Sequence, residues 1–280
     1  MRHLVAVLAL LAAASPLSAQ FQPDPQYERI LVPVFFSGPG ANGADWATNL
    51  ELTATTRNIK MPVPVLLGDY YICTLDVCSC DLKDLIEEGK IESVCPEFED
   101  ASGILLYVPR NLDPDELHIA ARVMDRSRVS DRYGTAIPVV RERDAPDNPM
   151  ILLDLPTDPR YRVALRLYDI FGYDDLYEVK FFDMNERRRG NEGLLLTTEI
   201  RVLVQPQPQG NPARFPMRPS FAFVGDLVAA YPQLASVPSI GIEITAGDLL
   251  ISPPQPHPRF YALASITNNT TQEVTIVAPR

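Results

Sequence analysis

The stretch RVALRLYD, residues 162–169, decides the fold class. Its apolar residues from Val163 to Leu167 occupy every second position, and Arg162 and Arg166 fall on the opposite face of an extended chain. Successive side chains of a β-strand point to opposite faces of the sheet. The spacing of two therefore predicts a strand that has one buried face and one face in water.

The same spacing recurs along the chain, and the segments between these stretches are rich in Pro, Gly, Asn and Asp, as turns require. Many short strands with little helix between them predict an all-β protein made of packed antiparallel sheets. The stretches that carry the pattern or resemble short strands are ELHIAARVM (116–124), EIRVLV (199–204), IGIEIT (240–245), ILVPVFF (30–36), NLELTA (49–54) and YEVKFFD (177–183).

A polar, charged segment with two prolines, RERDAPDNP (141–149), predicts a boundary between two domains. An N-terminal β-sandwich is expected over residues 27–142 and a C-terminal β-sandwich over residues 148–280. Both lengths are typical of single β-sandwich domains. The expected organisation is therefore two sandwiches in tandem.

The first residues, MRHLVAVLALLAAASPLSA (1–19), have the features of a secretory signal peptide. Arg2 and His3 are basic, Leu4–Ala14 is apolar, and small residues lead to Ala19. The apolar run is too short for a membrane anchor, which needs about 20 residues. The mature protein is expected to be exported to the periplasm or the extracellular space, without insertion into a membrane.

All four cysteines of the chain, Cys73, Cys78, Cys80 and Cys95, lie in one acidic insert at residues 69–100. Thiols of exported proteins tend to oxidise, so two disulfides are expected. Cys78 and Cys80 are too close in sequence for an easy bridge with each other, so each is expected to pair with Cys73 or Cys95, in either order. A zinc site is the alternative, but the spacing differs from paired C-x-x-C knuckles. The stretch DLKDLIEEGK predicts a short helix inside the insert.

The segments YRVALRLYD (161–169) and FYALASITNNTTQEVTIVAP (260–279) resemble a β-sandwich module of exported bacterial proteins of unknown function. The module ends in a strand of the type aYaSvvDNrTgDp, which is similar to Tyr261–Thr270 here. The segment ILVPVFFSGPGANGADWATNLEL (30–52) resembles the opening of a second copy and contains Trp46. The resemblance implies two tandem Ig-like sandwiches, and it implies no catalytic residue because the family has no established activity.

Charge and motifs exclude several classes of function. The formal net charge is −11, from 36 acidic and 25 basic side chains, which disfavours binding to nucleic acid. Beyond the signal peptide the histidines are His118 and His257, and neither belongs to a metal-binding motif. No G-x-S-x-G or phosphate-binding loop motif occurs. The protein is therefore expected not to be an enzyme and to need no cofactor or metal.

Two weaker ligand hypotheses remain open. The loops EFEDASG (97–103) and DIFGYDD (169–175) carry several carboxylates that would suit calcium, although solvated turns explain them better. Exposed aromatic rings stack on sugars in carbohydrate-binding modules. The residues proposed for such stacking are Trp46, Tyr168, Tyr173 and Tyr177.

The expected function is that of a non-catalytic structural or interaction protein of the cell envelope or extracellular space. It would bind a protein or surface partner through the faces or loops of its sandwiches. A carbohydrate-binding module, with or without calcium, is the alternative, and a carboxylate-based hydrolase ranks third.

Overall fold

The computed structural model describes most of the two predicted sandwiches. The described residues are 24–35, 37–39, 43–54, 66–67, 103–111, 117–128, 134–145, 149–172, 175–205, 218–246 and 260–279. The predicted signal peptide, the cysteine-rich insert with its four cysteines, Tyr173 and His257 lie outside these ranges. Described residues up to 145 are called the N-terminal half below, and those from 149 the C-terminal half.

Strands dominate the described residues and confirm the all-β prediction. They are β1 (Tyr27–Val32), β2 (Ser37–Pro39), β3 (Asp45–Ala54), β4 (Leu66–Leu67), β5 (Ile104–Pro109), β6 (Leu117–Asp125), β7 (Thr135–Ile137), β8 (Val140–Arg141), β9 (Met150–Pro156), β10 (Tyr161–Asp169), β11 (Asp175–Asp183), β12 (Leu194–Val202), β13 (Ser220–Val224), β14 (Ser239–Ala246), β15 (Phe260–Asn268) and β16 (Val274–Val277). Two short helices are α1 (Met184–Arg188) and α2 (Leu227–Ala230). No helix within the described ranges has the length and apolar character needed to cross a bilayer.

The strands form four sheets of four strands each, two in each half. The N-terminal half contains sheet A, in the order β4-β5-β1-β8, and sheet B, in the order β2-β3-β6-β7. The C-terminal half contains sheet C, in the order β12-β11-β14-β9, and sheet D, in the order β13-β10-β15-β16. Every pairing among these strands is antiparallel. The expected packed antiparallel sheets are therefore present.

The apolar residues of both halves form one continuous buried cluster. In the C-terminal half, Tyr177, Val179 and Phe181 point to the same side of β11 and are fully buried. In the N-terminal half, Ile30 on β1 and Leu106 on β5 are likewise fully buried and belong to the same cluster. Because this cluster crosses from one half to the other, the halves share a core.

Sheet A differs from the expected pattern of one buried and one wet face. Consecutive residues of β5, from Ile104 to Val108, are all fully buried, as are Ile30–Val32 of β1. A continuous apolar run is typical of a strand that is covered on both faces. One face of β1 contacts the C-terminal half, where the Arg29 guanidinium lies 4.7 Å from the ring centre of Phe171. Sheet A is therefore an inner layer of the molecule.

The face of β10 that carries its arginines also differs from the expectation that it lies in water. Ala164 is buried, Arg162 and Arg166 are half-buried, and Tyr168 on the same face is fully buried. This face of sheet D is turned toward the N-terminal half. The alternation along β10 is thus confirmed, but its polar face lines an interface between the halves.

Candidate functional site

A pocket of about 540 Å³ lies between sheet D of the C-terminal half and sheet B of the N-terminal half. We call it the inter-half pocket. One wall comes from β10, β13, β15 and β16, and the other comes from β2, β3, β6 and β7 with Val34. Its lining residues in the described ranges are Val34, Pro39, Trp46, Val123, Thr135, Ile137, Arg162, Ala164, Arg166, Phe221, Phe223, Gly225, Ser265, Thr267, Val274 and Ile276.

Strand pairing explains why these side chains converge on the C-terminal wall. Residues directly opposite each other in an antiparallel pair point to the same face of the sheet. On β10, Arg162 is paired with Thr267 of β15, and Arg166 is paired with Phe223 of β13. The same register pairs Thr267 with Val274 of β16. Alternation along four neighbouring strands therefore builds this wall.

Strand pairing also builds the N-terminal wall. Trp46 and Thr48 point to the same face of β3, and Thr48 is paired with Val123 of β6. Val123 is in turn paired with Thr135 of β7. The Thr48 hydroxyl donates a hydrogen bond of 3.3 Å to the Val34 carbonyl, which fixes the chain after β1 against this face. Sheet B therefore presents a half-buried tryptophan and apolar side chains to the pocket.

Arg166 is the most constrained cation of the pocket. Its guanidinium carbon lies 4.6 Å from the ring centre of Phe223, within the range of a cation–π contact. Phe223 stacks in turn on Phe221, with 6.2 Å between the ring centres. The Nε atom of Arg166 is buried and has no hydrogen-bond acceptor among the described residues. The side chain is therefore oriented by an aromatic ring, while one of its donors stays unpaired.

The electrostatic character of the pocket is opposite to that of the whole chain. None of its described lining residues is acidic, although the chain carries a net charge of −11. In the described part of the chain, neither Arg162 nor Arg166 forms an ion pair with a carboxylate. The pocket is thus a local region of positive charge with apolar walls.

Three polar contacts hold the two walls in place. The Thr135 hydroxyl donates a hydrogen bond of 3.0 Å to the Val274 carbonyl, which joins β7 to β16. The Arg128 guanidinium donates to the Thr271 carbonyl, and the Tyr168 hydroxyl donates to the Pro33 carbonyl. Each of these bonds joins the N-terminal half to the C-terminal half. The shape of the pocket therefore depends on how the halves are docked.

Replacing Tyr168 by phenylalanine tests one of these contacts. The change removes the hydroxyl and leaves the buried Pro33 carbonyl without this donor, so we expect the free energy of unfolding to fall by about 1–2 kcal/mol. Urea denaturation measures the change. Tyr261→Phe is the matched control, because Tyr261 is paired with Tyr168 and is buried, but donates no side-chain hydrogen bond within the described residues. Equal losses for the two variants would contradict the role given to the Tyr168 hydroxyl.

The residues predicted to stack on a sugar have different surroundings in the structure. Trp46 lines the inter-half pocket and is half-buried. Tyr168 and Tyr177 are fully buried, so neither ring has a face exposed at the surface. Burial raises the pKa of both phenols; for Tyr168 the nearby Arg166 charge opposes this effect. Tyr173 lies outside the described residues.

The first carboxylate of the loop that follows β10, Asp169, stabilises the loop through hydrogen bonds. Asp169 is fully buried and accepts hydrogen bonds from the backbone N–H groups of Phe171 and Gly172, at 2.7 and 2.8 Å. Its other oxygen accepts from the Tyr177 hydroxyl at 3.0 Å. These bonds close the turn between β10 and β11. Within the described ranges, no cluster of three or more His, Cys, Asp or Glu side chains is placed to bind a metal ion.

Of the residues that line the pocket, the sequence patterns named only Trp46 as a candidate ligand-binding residue. Arg162 and Arg166 alternate with core residues, and such a spacing usually marks a solvated face. Phe221 and Phe223 lie beside a proline-rich segment and are not among the predicted strands. The sequence does contain one signal, the alternating aromatic pair Phe221 and Phe223 on a strand. This pair points to the arginines only once the pairing of β10 with β13 is known.

No protein-family model, curated protein or solved structure matches this chain.

Proposed function

We propose that this protein is an exported, non-catalytic binding protein that holds part of a protein or cell-surface partner in the inter-half pocket. The single observation that supports this function most is the pocket itself, whose two walls are sheet faces from different halves. Its volume of about 540 Å³ lies within the range of about 300–1,000 Å³ that is common for ligand sites. It combines apolar walls with a few polar groups, which is also common in such sites.

The proposal includes the organisation expected from the sequence. Residues 1–19 act as a signal peptide, and two Ig-like sandwiches occupy residues 27–142 and 148–280. The insert at 69–100 is pinned by two disulfides among Cys73, Cys78, Cys80 and Cys95. Export to the periplasm or the extracellular space follows from the signal peptide. The presence of two sheets in each described half supports the tandem arrangement.

The chemistry of the lining supports binding without catalysis. The described lining residues offer guanidinium groups, hydroxyls, aromatic rings and aliphatic side chains. They include no histidine, cysteine or carboxylate, which are the usual groups for acid–base catalysis. The hydroxyl of Thr135 is already engaged with the Val274 carbonyl. A partner group in this pocket would be held and oriented, and left chemically unchanged.

Carbohydrate binding is the second candidate, because Trp46 lines the same pocket as Ser265 and Thr267, whose side chains carry hydroxyls. A sugar would stack on the indole ring and use these hydroxyls as partners. The burial of Tyr168 and Tyr177 removes the additional stacking rings that this hypothesis expected. The first candidate is therefore favoured.

Site-specific cross-linking in cells tests the proposed function. A photoreactive phenylalanine derivative replaces Gly225, which is exposed at the pocket and has room for a side chain, since a Cβ atom added there would lie 3.4 Å from its nearest neighbour. We expect a discrete adduct on illumination that disappears when Ser265→Trp fills the pocket. The matched control carries the same derivative at Leu194, which is 45% exposed and does not line the pocket.

Two outcomes would contradict the proposal. One is an equal yield of adducts at positions 225 and 194, which would indicate random contact. The other is an adduct at position 225 that survives the filling of the pocket by Ser265→Trp and also by Ile276→Trp. Ile276→Trp changes the edge strand β16. It provides an independent test if Ser265→Trp fails to fold.

A further inference from the structure

We propose that the occupant of the inter-half pocket is an amphiphilic anion, in which one anionic group is attached to an apolar body. The proposal rests on the proposed function, because it names the chemical class of the group that the pocket holds. The anionic group would be a carboxylate, sulfonate or phosphate monoester, paired with Arg166. The apolar body would lie between sheets B and D.

The charge of the pocket is the first argument for an anionic ligand. Arg162 and Arg166 are half-buried, and in the described part of the chain neither has a carboxylate partner within ion-pair distance. A partly buried cation without a counter-ion is costly, since burial removes part of its hydration. An anion that enters the pocket compensates this cost at Arg166 and gains a charge-assisted hydrogen bond. A cationic ligand would meet two like charges and no described acidic side chain.

Packing against aromatic rings orients Arg166 before an anion binds, and this is the second argument. Its guanidinium is held over Phe223 at 4.6 Å, so less side-chain freedom is lost when an anion binds. The ring stack continues from Phe223 to Phe221 and from Phe221 to Tyr168, with 5.0 Å between the last two ring centres. Tyr168 is itself anchored by the Pro33 carbonyl. Arg166 is therefore presented by a chain of packed rings that reaches the junction of the two halves.

The apolar character of the pocket walls is the third argument, and it concerns the apolar body of the ligand. Apart from the arginines and the hydroxyl-bearing Thr135, Ser265 and Thr267, the lining side chains on both walls are apolar and suit a hydrocarbon or aryl body. A free inorganic anion would leave these walls in water, and a polar sugar would leave Arg166 without a counter-charge. The apolar side chains that would contact the body are Val34, Trp46, Val123, Ile137, Val274 and Ile276.

A pair of fluorescent probes tests the proposal directly. 8-Anilinonaphthalene-1-sulfonate is an amphiphilic anion, and N-phenyl-1-naphthylamine is its neutral counterpart without the sulfonate. Both are titrated into the full mature protein. We expect Arg166→Met to weaken binding of the sulfonate at least about tenfold, since a hydrogen bond to a charged group is worth roughly 1.5–3 kcal/mol. Binding of the neutral probe should change less than about twofold, because its contacts are apolar.

Controls separate the pocket from the rest of the surface. Arg188→Met removes a charge from α1, outside the pocket lining, and should leave the affinity for both probes unchanged. Arg166→Lys keeps the charge but loses the planar guanidinium, so an intermediate loss is expected. Decanoate should displace the sulfonate probe more strongly than decanol, and added salt should weaken only the anionic probe. Circular dichroism confirms that each variant is folded.

The outcomes distinguish this proposal from the proposed function. If the filling variants weaken both probes but Arg166→Met weakens both equally or neither, recognition of an anion is wrong, while binding in the pocket stands. If Ser265→Trp and Ile276→Trp leave the binding of both probes unchanged, the probes bind elsewhere and the pocket is not the site. The proposal stands only if Arg166→Met and the filling variants each weaken binding of the sulfonate probe. Binding of the neutral probe should be weakened by the filling variants alone.

Discussion

Replacing Phe181 by alanine is expected to lower the free energy of unfolding by about 3–5 kcal/mol, the usual range for a buried phenylalanine. Phe181 lies on β11 and is fully buried, and its ring centre is 5.3 Å from that of Tyr231. Removing the ring leaves a cavity in the core of the C-terminal half. Urea denaturation followed by circular dichroism measures the loss.

The same variant shows whether the halves unfold together. Trp46 is the single tryptophan of the chain and lies in the N-terminal half, so its fluorescence reports on that half. Because the buried cluster is continuous across the halves, the Trp46 transition should shift with the circular dichroism transition. Leu194→Ala, at a side chain that is 45% exposed, is the control and should shift neither transition appreciably. A Trp46 transition that stays in place would show that the halves are independent.

Replacing Glu28 by glutamine is expected to cost about 2–4 kcal/mol near neutral pH, because it removes one partner of a buried ion pair. The Glu28 carboxylate is fully buried and accepts hydrogen bonds from the Arg143 backbone at 3.2 Å and from its Nε at 2.7 Å. Arg141 approaches the same carboxylate to 3.6 Å. Arg143 is 37% exposed and is rehydrated in the variant, so the cost stays below that of a fully buried pair.

The cost of the Glu28 change should depend on pH in a defined direction. Burial alone would raise the pKa of Glu28, but hydrogen bonds from Arg143 and the charges of Arg143 and Arg141 outweigh it and hold the pKa below its ordinary value. The carboxylate therefore stabilises the fold fully above its unfolded pKa, and this stabilisation is lost as the pH falls through the folded pKa. The difference between wild type and Glu28→Gln should shrink in acid.

Denaturant unfolding at a series of pH values checks this expectation. Glu178→Gln is the control, because Glu178 is 43% exposed and pairs with Lys180 on the surface, where an ion pair contributes little. Its effect should be small at every pH. A Glu28→Gln difference that is constant or grows in acid would contradict the ion-pair explanation.

The strands could be predicted from the sequence because alternation is a local property. The expected strand at 162–169 lies within β10, and the stretch at 240–245 lies within β14. The apolar runs of β1 and β5 are also local, and their lack of alternation matches burial on both faces. What covers those faces depends on which sheets meet, and this is decided by contacts between residues far apart in the chain.

Most of the candidate site could not be predicted from the sequence, because it depends on contacts between residues far apart in the chain. Arg162 and Arg166 have the spacing of a solvated face, and only the docking of sheet D against the N-terminal half turns that face into a pocket wall. Tyr168 shares the face with them, yet it is fully buried and contacts the N-terminal half through the Pro33 carbonyl. Local spacing specifies the side of a strand, but it does not specify whether that side meets water.

The division of the pocket between two halves links its occupancy to their attachment. A guest that contacts both sheet B and sheet D is bound fully only while the two sheets remain together. Its binding free energy is then added to the hydrogen bonds of Tyr168 and Thr135 across the junction. A pulling force on the chain ends would have to expel the guest before it separated the halves, so a loaded protein should resist mechanical stretching better than an empty one.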